Sequence, residues 1–477
     1  MPGKKNYHEN KRVSIVAHRS PGKIGSYKIR WFLGRGTMGR VYKVTLPGLE
    51  KTAALKLFAP TKALDRKFST AWLKERFIHE ARVIANIRHP NVAGIWKLET
   101  REPDIFYIME YYNRNLGEMI GESYWAEMTS RIVPIEKTCH YLHQILEGLS
   151  RLHHAKIIHQ DIKPFNIMLS DEGIVKIVDF GLSKRRGEKP AIQPGSQTAR
   201  SRFIGTPFYA APEQIHSRKA IDHRADLYSA GVILYRMLTG HLPTGKTVQL
   251  PSRLNPMLDK NCDAFILKAM AQEPENRFQD AETMADALKQ LSLAYNASRK
   301  KECEISDSSE KKDSGYDAPV KKTALRSQPS RILRKKARKM FRLNRHDQPA
   351  AYIQNDFQAE TERVIVDRAT GLVWQQAGSG YPMSWSEAQR YIKEVSDKGL
   401  EGYTGWRLPT MNELLSLLNS PSPENFCLEP VFSDVQKCLW SADSRSGRSA
   451  WVLDLEMGFV TSCDVTDYFH VKGVCSL

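Results

Sequence analysis

The sequence predicts a multidomain α+β chain: a two-lobed unit, strand-rich then helical, followed by a smaller α+β domain. Three observations predict it. A glycine-rich run sits between two strand patterns near the start; a fixed series of polar residues follows a long helical pattern; and a tryptophan-rich segment closes the chain. With 477 residues, a length prior suggests about three domain-sized units.

The glycine run is Gly34-Arg35-Gly36-Thr37-Met38-Gly39-Arg40-Val41, spelled G-x-G-x-x-G-x-V. Such glycines let backbone amides approach phosphate oxygens that a Cβ would hold off. Dinucleotide sites share the spelling, but they need a helix directly after the glycines and an acidic residue about 20 positions on. Here Val41-Tyr42-Lys43-Val44 reads as a strand, so a hairpin folded over a nucleotide is expected.

The next strand is Thr52-Ala53-Ala54-Leu55-Lys56-Leu57-Phe58, with Ala54, Lys56 and Phe58 on one face. Downstream, helical spacing sets Glu80 beside Phe77, Ala81 and Ile84 on an apolar face. A buried carboxylate needs a partner. Lys56 is the expected one, and the pair would hold the ammonium against the phosphates; the alternative is a solvated strand lysine.

A helix is expected over 135–154, its apolar residues including Leu142, Ile145, Leu146, Leu149 and Leu152. After it come His159-Gln160-Asp161-Ile162-Lys163-Pro164-Phe165-Asn166, then Asp179-Phe180-Gly181, then Ala211-Pro212-Glu213. Phosphoryl transfer needs a base, a cation on the phosphates and metal ligands together. Asp161 reads as the base for the attacking hydroxyl, and Lys163 as the screen for charge on the transferred group. Asn166 and Asp179 read as ligands of Mg²⁺, which takes hard oxygens shared with phosphates. The plain alternative is a set of polar residues in two surface turns.

Together these residues, over 27–292, resemble a eukaryotic-like serine/threonine protein kinase domain of the kind found in bacteria. The resemblance implies ATP and Mg²⁺ between the lobes and transfer of the γ-phosphoryl group to Ser/Thr hydroxyls of protein substrates. It implies phosphate contacts from Gly34, Gly36 and Gly39, and an adenine sandwiched by Val41, Ala54 and Met168. Met109 takes the gatekeeper position, with Glu110, Tyr111 and Tyr112 as the hinge. Glu213 is expected to pair with Arg277, and Asp226, in a helix over 226–238, to brace the catalytic loop. Gly205-Thr206-Pro207 points to the Ser/Thr branch.

The chain departs from the family at Gln160, where an arginine usually reads a phosphate on the activation loop. A neutral amide cannot make that charge-assisted bidentate contact. Activity is therefore expected not to depend on phosphorylation between Asp179 and Ala211, although Ser183, Ser196, Thr198 and Ser201 leave autophosphorylation open. The alternative function is a nucleotide-binding pseudokinase scaffold acting through binding. The complete set Lys56, Glu80, Asp161, Lys163, Asn166 and Asp179 argues for the enzyme. A second phosphate-loop spelling, from Gly240 to Thr247, follows a helical pattern and runs into Pro251, whereas a true one joins a strand to a helix.

Around this unit, residues 1–26 read as a basic flexible tail without an apolar signal core, and no run of 18 apolar residues occurs. A cytoplasmic protein is expected, with peripheral contact at the inner face of the membrane as an option. Seven cysteines without a C-x-x-C pair exclude a zinc or redox motif of that type. The net charge of +18 is unevenly placed, and 293–350 reads as a polar to polybasic linker. Within it, 331–345 places Leu333, Ala337, Met340 and Phe341 on one face of an amphipathic helix among cations. An anionic membrane surface or an acidic partner fits such a helix, nucleic acid is not the expected partner, and a solvated tether is the plain reading.

The domain assigned to 351–477 has capping boxes at Ser384 with Glu387 and at Thr410 with Glu413, opening helices over 385–397 and 411–418. Strands are expected over 450–455, 459–462 and 470–474, with Gly458 turning the first pair. The runs Asp367-Arg368-Ala369-Thr370-Gly371-Leu372-Val373-Trp374 and Gly402-Tyr403-Thr404-Gly405-Trp406-Arg407-Leu408-Pro409 resemble the C-terminal domain of bacterial collagen-like adhesins. That resemblance implies a fold related to C-type-lectin-like and formylglycine-generating-enzyme domains, and binding of glycans or proteins rather than chemistry. Trp374, Trp406 and Trp451 are expected in its core.

Overall fold

The computed structural model describes residues 22–477 apart from 67, 102, 124–127, 171, 181–183, 186–207, 217–220, 245–247, 308–322, 421–427 and 433–435. Most of the expected tail, Gly181, the four loop hydroxyls, Gly205-Thr206-Pro207, the end of the second phosphate-loop spelling and Cys427 lie outside the described residues.

The first lobe is a six-stranded antiparallel sheet. Its order is Lys23–Ile24, Tyr27–Arg35, Gly39–Thr45, Thr52–Phe58, Phe106–Met109 and Ile95–Glu99. The first strand corrects the tail reading, because Ile24 is buried and pairs with Tyr27. The helix Thr70–Ala85 crosses the sheet, capped by Ser69, whose hydroxyl accepts from Trp72 N. It buries Leu73, Phe77, Glu80, Ala81 and Ile84, so Glu80 lies among apolar side chains, as its spacing required.

The second lobe is built on the helices Ile135–His154 and Arg224–Thr239. The former shows one apolar stripe, whereas the latter is buried on nearly every side. A helix hydrophobic all round belongs in the centre of a domain, and this one holds Asp226 under the catalytic loop.

The C-terminal domain has a four-stranded antiparallel sheet (Phe357–Ala359, Val364–Asp367, Leu372–Gln375, Val474–Ser476) and a three-stranded one (Cys438–Ser446, Ser449–Asp454, Phe459–Asp464). Both capping boxes form, on Trp385–Lys398 and Met411–Ser416. Trp374, Trp406 and Trp451 are all buried. The expected strand over 470–474 differs: pairing at His470 is a single bridge, and the strand proper is Val474–Ser476.

The linker reading of 293–350 also differs from the structure. The helix Ala281–Asp307 runs through its first part, and 323–350 is integral to the C-terminal domain. Ile332 N donates to Ser444 O at 2.8 Å, and Trp451 Nε1 donates to Ile332 O at 3.0 Å. Phe341 packs edge-on against Trp451 at 5.3 Å. The basic helix spans only Arg334–Met340. Its apolar side is spent on its own domain through Ala337 and Phe341, while Leu333 and Met340 stay exposed.

The three-stranded sheet packs against the segment joining the two lobes. Arg114 donates to Asp454 at 2.5 Å and to Glu456 at 3.3 Å, and Lys137 lies 3.3 Å from Glu456. Phe459 and Met457 join the core of the second lobe. Arg131 stacks over Phe459 at 3.7 Å and donates through Nε to His346 O.

Candidate active site

Strand register brings the upper half of the site together. Val41 stands opposite both Gly34 and Lys56, and Ala54 opposite Met109. Gly36 N donates to Gly39 O at 2.9 Å, closing the hairpin tip. A Cβ on Gly39 would lie 2.3 Å from the Leu57 carbonyl oxygen, so this glycine is demanded by the neighbouring strand whatever it does for a ligand. A Cβ on Gly36 would lie 3.4 Å from Asp179 Oδ2, which places the hairpin tip directly over that carboxylate.

Lys56 is buried, with Nζ 2.5 Å from Asp179 Oδ1 and 3.7 Å from Glu80 Oε1. The expected pair with Glu80 is thus the looser of two contacts. Burial would lower the Lys56 pKa, but Asp179 and Glu80 together hold it well above the ordinary lysine value. Burial likewise opposes ionisation of Asp179, yet the Lys56 ammonium keeps that carboxyl below its ordinary range. Asp179 has φ +73°, a left-handed conformation costly for a residue with a side chain. Phe180 beside it is buried in the second lobe's core, its ring 4.9 Å from that of His159.

The catalytic loop is suspended from Asp226. Oδ2 accepts from His159 N at 2.9 Å and Oδ1 from Gln160 N at 2.8 Å, while His153 Nε2 lies 2.9 Å from Oδ2. Burial would raise Asp226, but these hydrogen bonds hold its carboxyl below the ordinary range. His159, which sequence reasoning left without a role, accepts from Asp161 N and bonds Val178 O through Nε2. It joins the loop to the strand leading into Asp179.

On this frame Lys163 Nζ donates to Asp161 Oδ2 at 2.8 Å. Asn166 Nδ2 donates to Asp161 O at 2.7 Å and to Asp161 Oδ2 at 3.1 Å. Burial pushes the Asp161 carboxyl upward, against the pull of Lys163. With its nitrogen spent on Asp161, Asn166 has its amide oxygen to offer a metal, and Asp179 has Oδ2. Among the described residues no group of three or more His, Cys, Asp or Glu could hold a metal alone. Two protein oxygens completed by nucleotide phosphates is the usual arrangement for Mg²⁺, so the residues present fit it.

Met168 lies in Ile167–Leu169, paired with Asn115 at the start of the second lobe. At the hinge, Tyr112 donates its hydroxyl to Glu110 at 2.6 Å. Below the site, Arg277 grips Glu213 with two 2.8 Å hydrogen bonds. Tyr111 turns outward and donates to Asp467 of the C-terminal domain, a contact with no signal in the local sequence.

This fold and site define a protein kinase, and the chain belongs to that family: residues 27–300, more than half its length, match the protein kinase domain. Residues 363–475 match the Lcl C-terminal domain. The chain is 30% identical over 293 residues to the serine/threonine-protein kinase PksC of Streptomyces coelicolor, covering 57% of this chain and 50% of that one. It is also 30% identical to PrkC of Bacillus subtilis over 289 residues, covering 58% and 41%. The same identity to pkn3 of Myxococcus xanthus covers 54% and 48%. The chain thus spans half or less of the length of these relatives. The solved kinase domain of PknI from Mycobacterium tuberculosis aligns at 24% identity with a TM-score of 0.42, covering 56% of this chain and 96% of that one.

Proposed function

We propose that this chain is a serine/threonine protein kinase that transfers the γ-phosphoryl group of ATP to Ser/Thr hydroxyls of protein substrates. The observation that carries this is the convergence of Lys56, Asp161, Lys163, Asn166 and Asp179 in one site, each within hydrogen-bond reach of another. Gly34, Gly36 and Gly39 cover the phosphates; Val41 and Ala54 form the roof and Met168 the floor of the adenine site; the backbone of Glu110 and Tyr112 faces the base. Lys56, steadied by Glu80, holds the phosphates. Asp161 orients and deprotonates the substrate hydroxyl, and Lys163 screens charge on the group in transit. Asn166 and Asp179 hold Mg²⁺, which when bound neutralises phosphate charge.

The C-terminal domain is read as a recruitment domain related to that of collagen-like adhesins, taking a glycan or protein ligand. The exposed cations of Arg334–Met340 serve an anionic surface, either an acidic partner or the inner face of a membrane. Among the described residues no helix is long and apolar enough to cross a membrane.

The test is incorporation of labelled γ-phosphate into the chain and a basic protein substrate, with and without Mg²⁺. Asp161→Asn is expected to retain ATP binding and to lose transfer by about 10²- to 10⁴-fold. Undiminished transfer in that variant would remove Asp161 from the role of base.

A further inference from the structure

The C-terminal domain reaches the strand and hinge of the kinase site through the loop that carries Asp467, which makes the shortest charged contact there. Asp467 is 5% exposed, and both of its oxygens are engaged. Oδ1 accepts from Lys43 Nζ at 2.7 Å and from the Tyr111 hydroxyl at 2.8 Å. Oδ2 accepts from the N–H of Asp464 at 3.1 Å, which fixes the carboxylate on its own loop. Lys43 also donates to Thr466 Oγ1 at 2.7 Å, lies 3.7 Å from Asp464 and stands 4.9 Å from the centre of the Tyr111 ring. It is 1% exposed, so the second domain seals this ion pair from water.

The two residues that Asp467 grips belong to two walls of the nucleotide site. Lys43 is the cross-strand neighbour of Ala54 and lies two residues from Val41, on the same strand face. Tyr111 stands between Glu110 and Tyr112. The domain that carries Asp467 is itself fixed to the second lobe by Arg114 on Asp454 and Glu456, and by Arg131 on Phe459. Strand, hinge and second lobe are therefore all in contact with one domain outside the cleft.

We propose that Asp467 is a positioning residue for the kinase reaction: from the second domain it sets the adenine-binding roof and hinge against the second lobe, and so sets nucleotide affinity. This rests on the kinase reading above. A tie that acts on nucleotide geometry alone changes the KM for ATP while leaving the chemical step and the protein-substrate site as they were.

The experiment uses the full chain with Asp467→Ala, Asp467→Glu, Tyr111→Phe and Glu456→Gln. ATP dissociation constants are measured directly, beside kcat and the KM values for ATP and for a peptide. Asp467→Ala is expected to raise both Kd and KM for ATP roughly tenfold, the equivalent of one charge-assisted tie, with kcat and the peptide KM within about twofold of wild type. Asp467→Glu should recover part of the loss. Tyr111→Phe, which removes one hydroxyl, should show a smaller rise. Glu456→Gln, which loosens the contact to Arg114 and Lys137 and leaves Lys43 and Tyr111 held, should raise the KM less than Asp467→Ala. Unchanged ATP affinity in both Asp467→Ala and Tyr111→Phe overturns the proposal, and so does an Asp467→Ala loss spread equally over kcat and the peptide KM. Absence of transfer by the wild type counts against the kinase reading instead, because the dissociation constants still report on Asp467.

Discussion

Lys56 Nζ sits 2.5 Å from Asp179 Oδ1 but 3.7 Å from Glu80 Oε1, so the buried ammonium leans toward Asp179 and away from its helix partner. The two carboxyls also differ in their electrostatics. Burial lifts Glu80 from 4.5 to about 7, outweighing the opposing pull of Lys56, so near neutrality this carboxyl is only partly ionised. Asp179, by contrast, is fully charged there.

Ionisation of Glu80 should draw Lys56 off Asp179 and free the aspartate for a metal. Phosphoryl transfer is therefore expected to rise as pH passes upward through about 7. Glu80→Gln should flatten that limb and lower kcat/KM by up to ~10²-fold, the scale of a misplaced catalytic cation. The stability effect has the opposite sign: the folded state binds the extra proton, so this group's contribution is present at low pH and lost as pH rises through 7. A pH profile of kcat/KM for wild type and variant checks the first point, and one unmoved by the substitution would refute it.

Arg277 is fully buried and spreads its donors over Glu213, Arg224 O, Ala271 O and Gln272 O. Replacing it strands a buried carboxylate and three carbonyls. Arg277→Ala is expected to destabilise the second lobe by about 3–5 kcal/mol. Arg277→Lys should recover little, because an ammonium cannot reproduce the planar fork. Denaturant unfolding of the two variants measures both.

The grouping of the candidate site residues was legible because it is confined to short runs: Asp161, Lys163 and Asn166 lie within six positions and meet in the fold, and the capping boxes need only four. Gly39 was legible for an incomplete reason, since the Leu57 carbonyl excludes a side chain there. What stayed hidden was long-range. Asp467 and Tyr111 are 356 residues apart, Arg114 and Asp454 are 340 apart, and each alone reads as a surface polar residue. The segment 323–350 misled for a related reason. Ile332, Ala337 and Phe341 are too few among the cations to signal a core, and their partner Trp451 lies more than a hundred residues on.

Gln160 has φ +66°; its N–H is held by Asp226 and its carbonyl accepts from Gln214 Nε2 at 2.9 Å. The loop's backbone is thus anchored at both polar groups of this residue, and its neutral side chain offers no charge to a phosphate. Alanine at Ser196, Thr198 and Ser201 together is expected to leave kcat within about threefold of wild type, far less than loss of a charge-assisted anchor would cost. Loss of most activity in that variant, assayed on an exogenous peptide, would show that phosphorylation is required after all.

Lys472 provides a test confined to the C-terminal domain. The side chain is fully buried, donates to Gln375 O at 3.1 Å and Gln376 O at 2.7 Å, and lies 5.1 Å from the centre of the Phe432 ring. Burial lowers its pKa from 10.5 to about 7. Between those two values the unfolded chain binds the proton and the folded domain does not, so stability rises with pH across this window and falls away as pH drops toward 7. The slope is expected to approach ~1.4 kcal/mol per pH unit in mid-window. Lys472→Met keeps an unbranched apolar stem and removes the titrating group, so its unfolding free energy should lose that slope. Urea melts at pH 7, 8, 9 and 10, followed by tryptophan fluorescence, would decide it: parallel pH dependence in wild type and variant means that Lys472 stays charged in the fold, held by the two carbonyls it donates to.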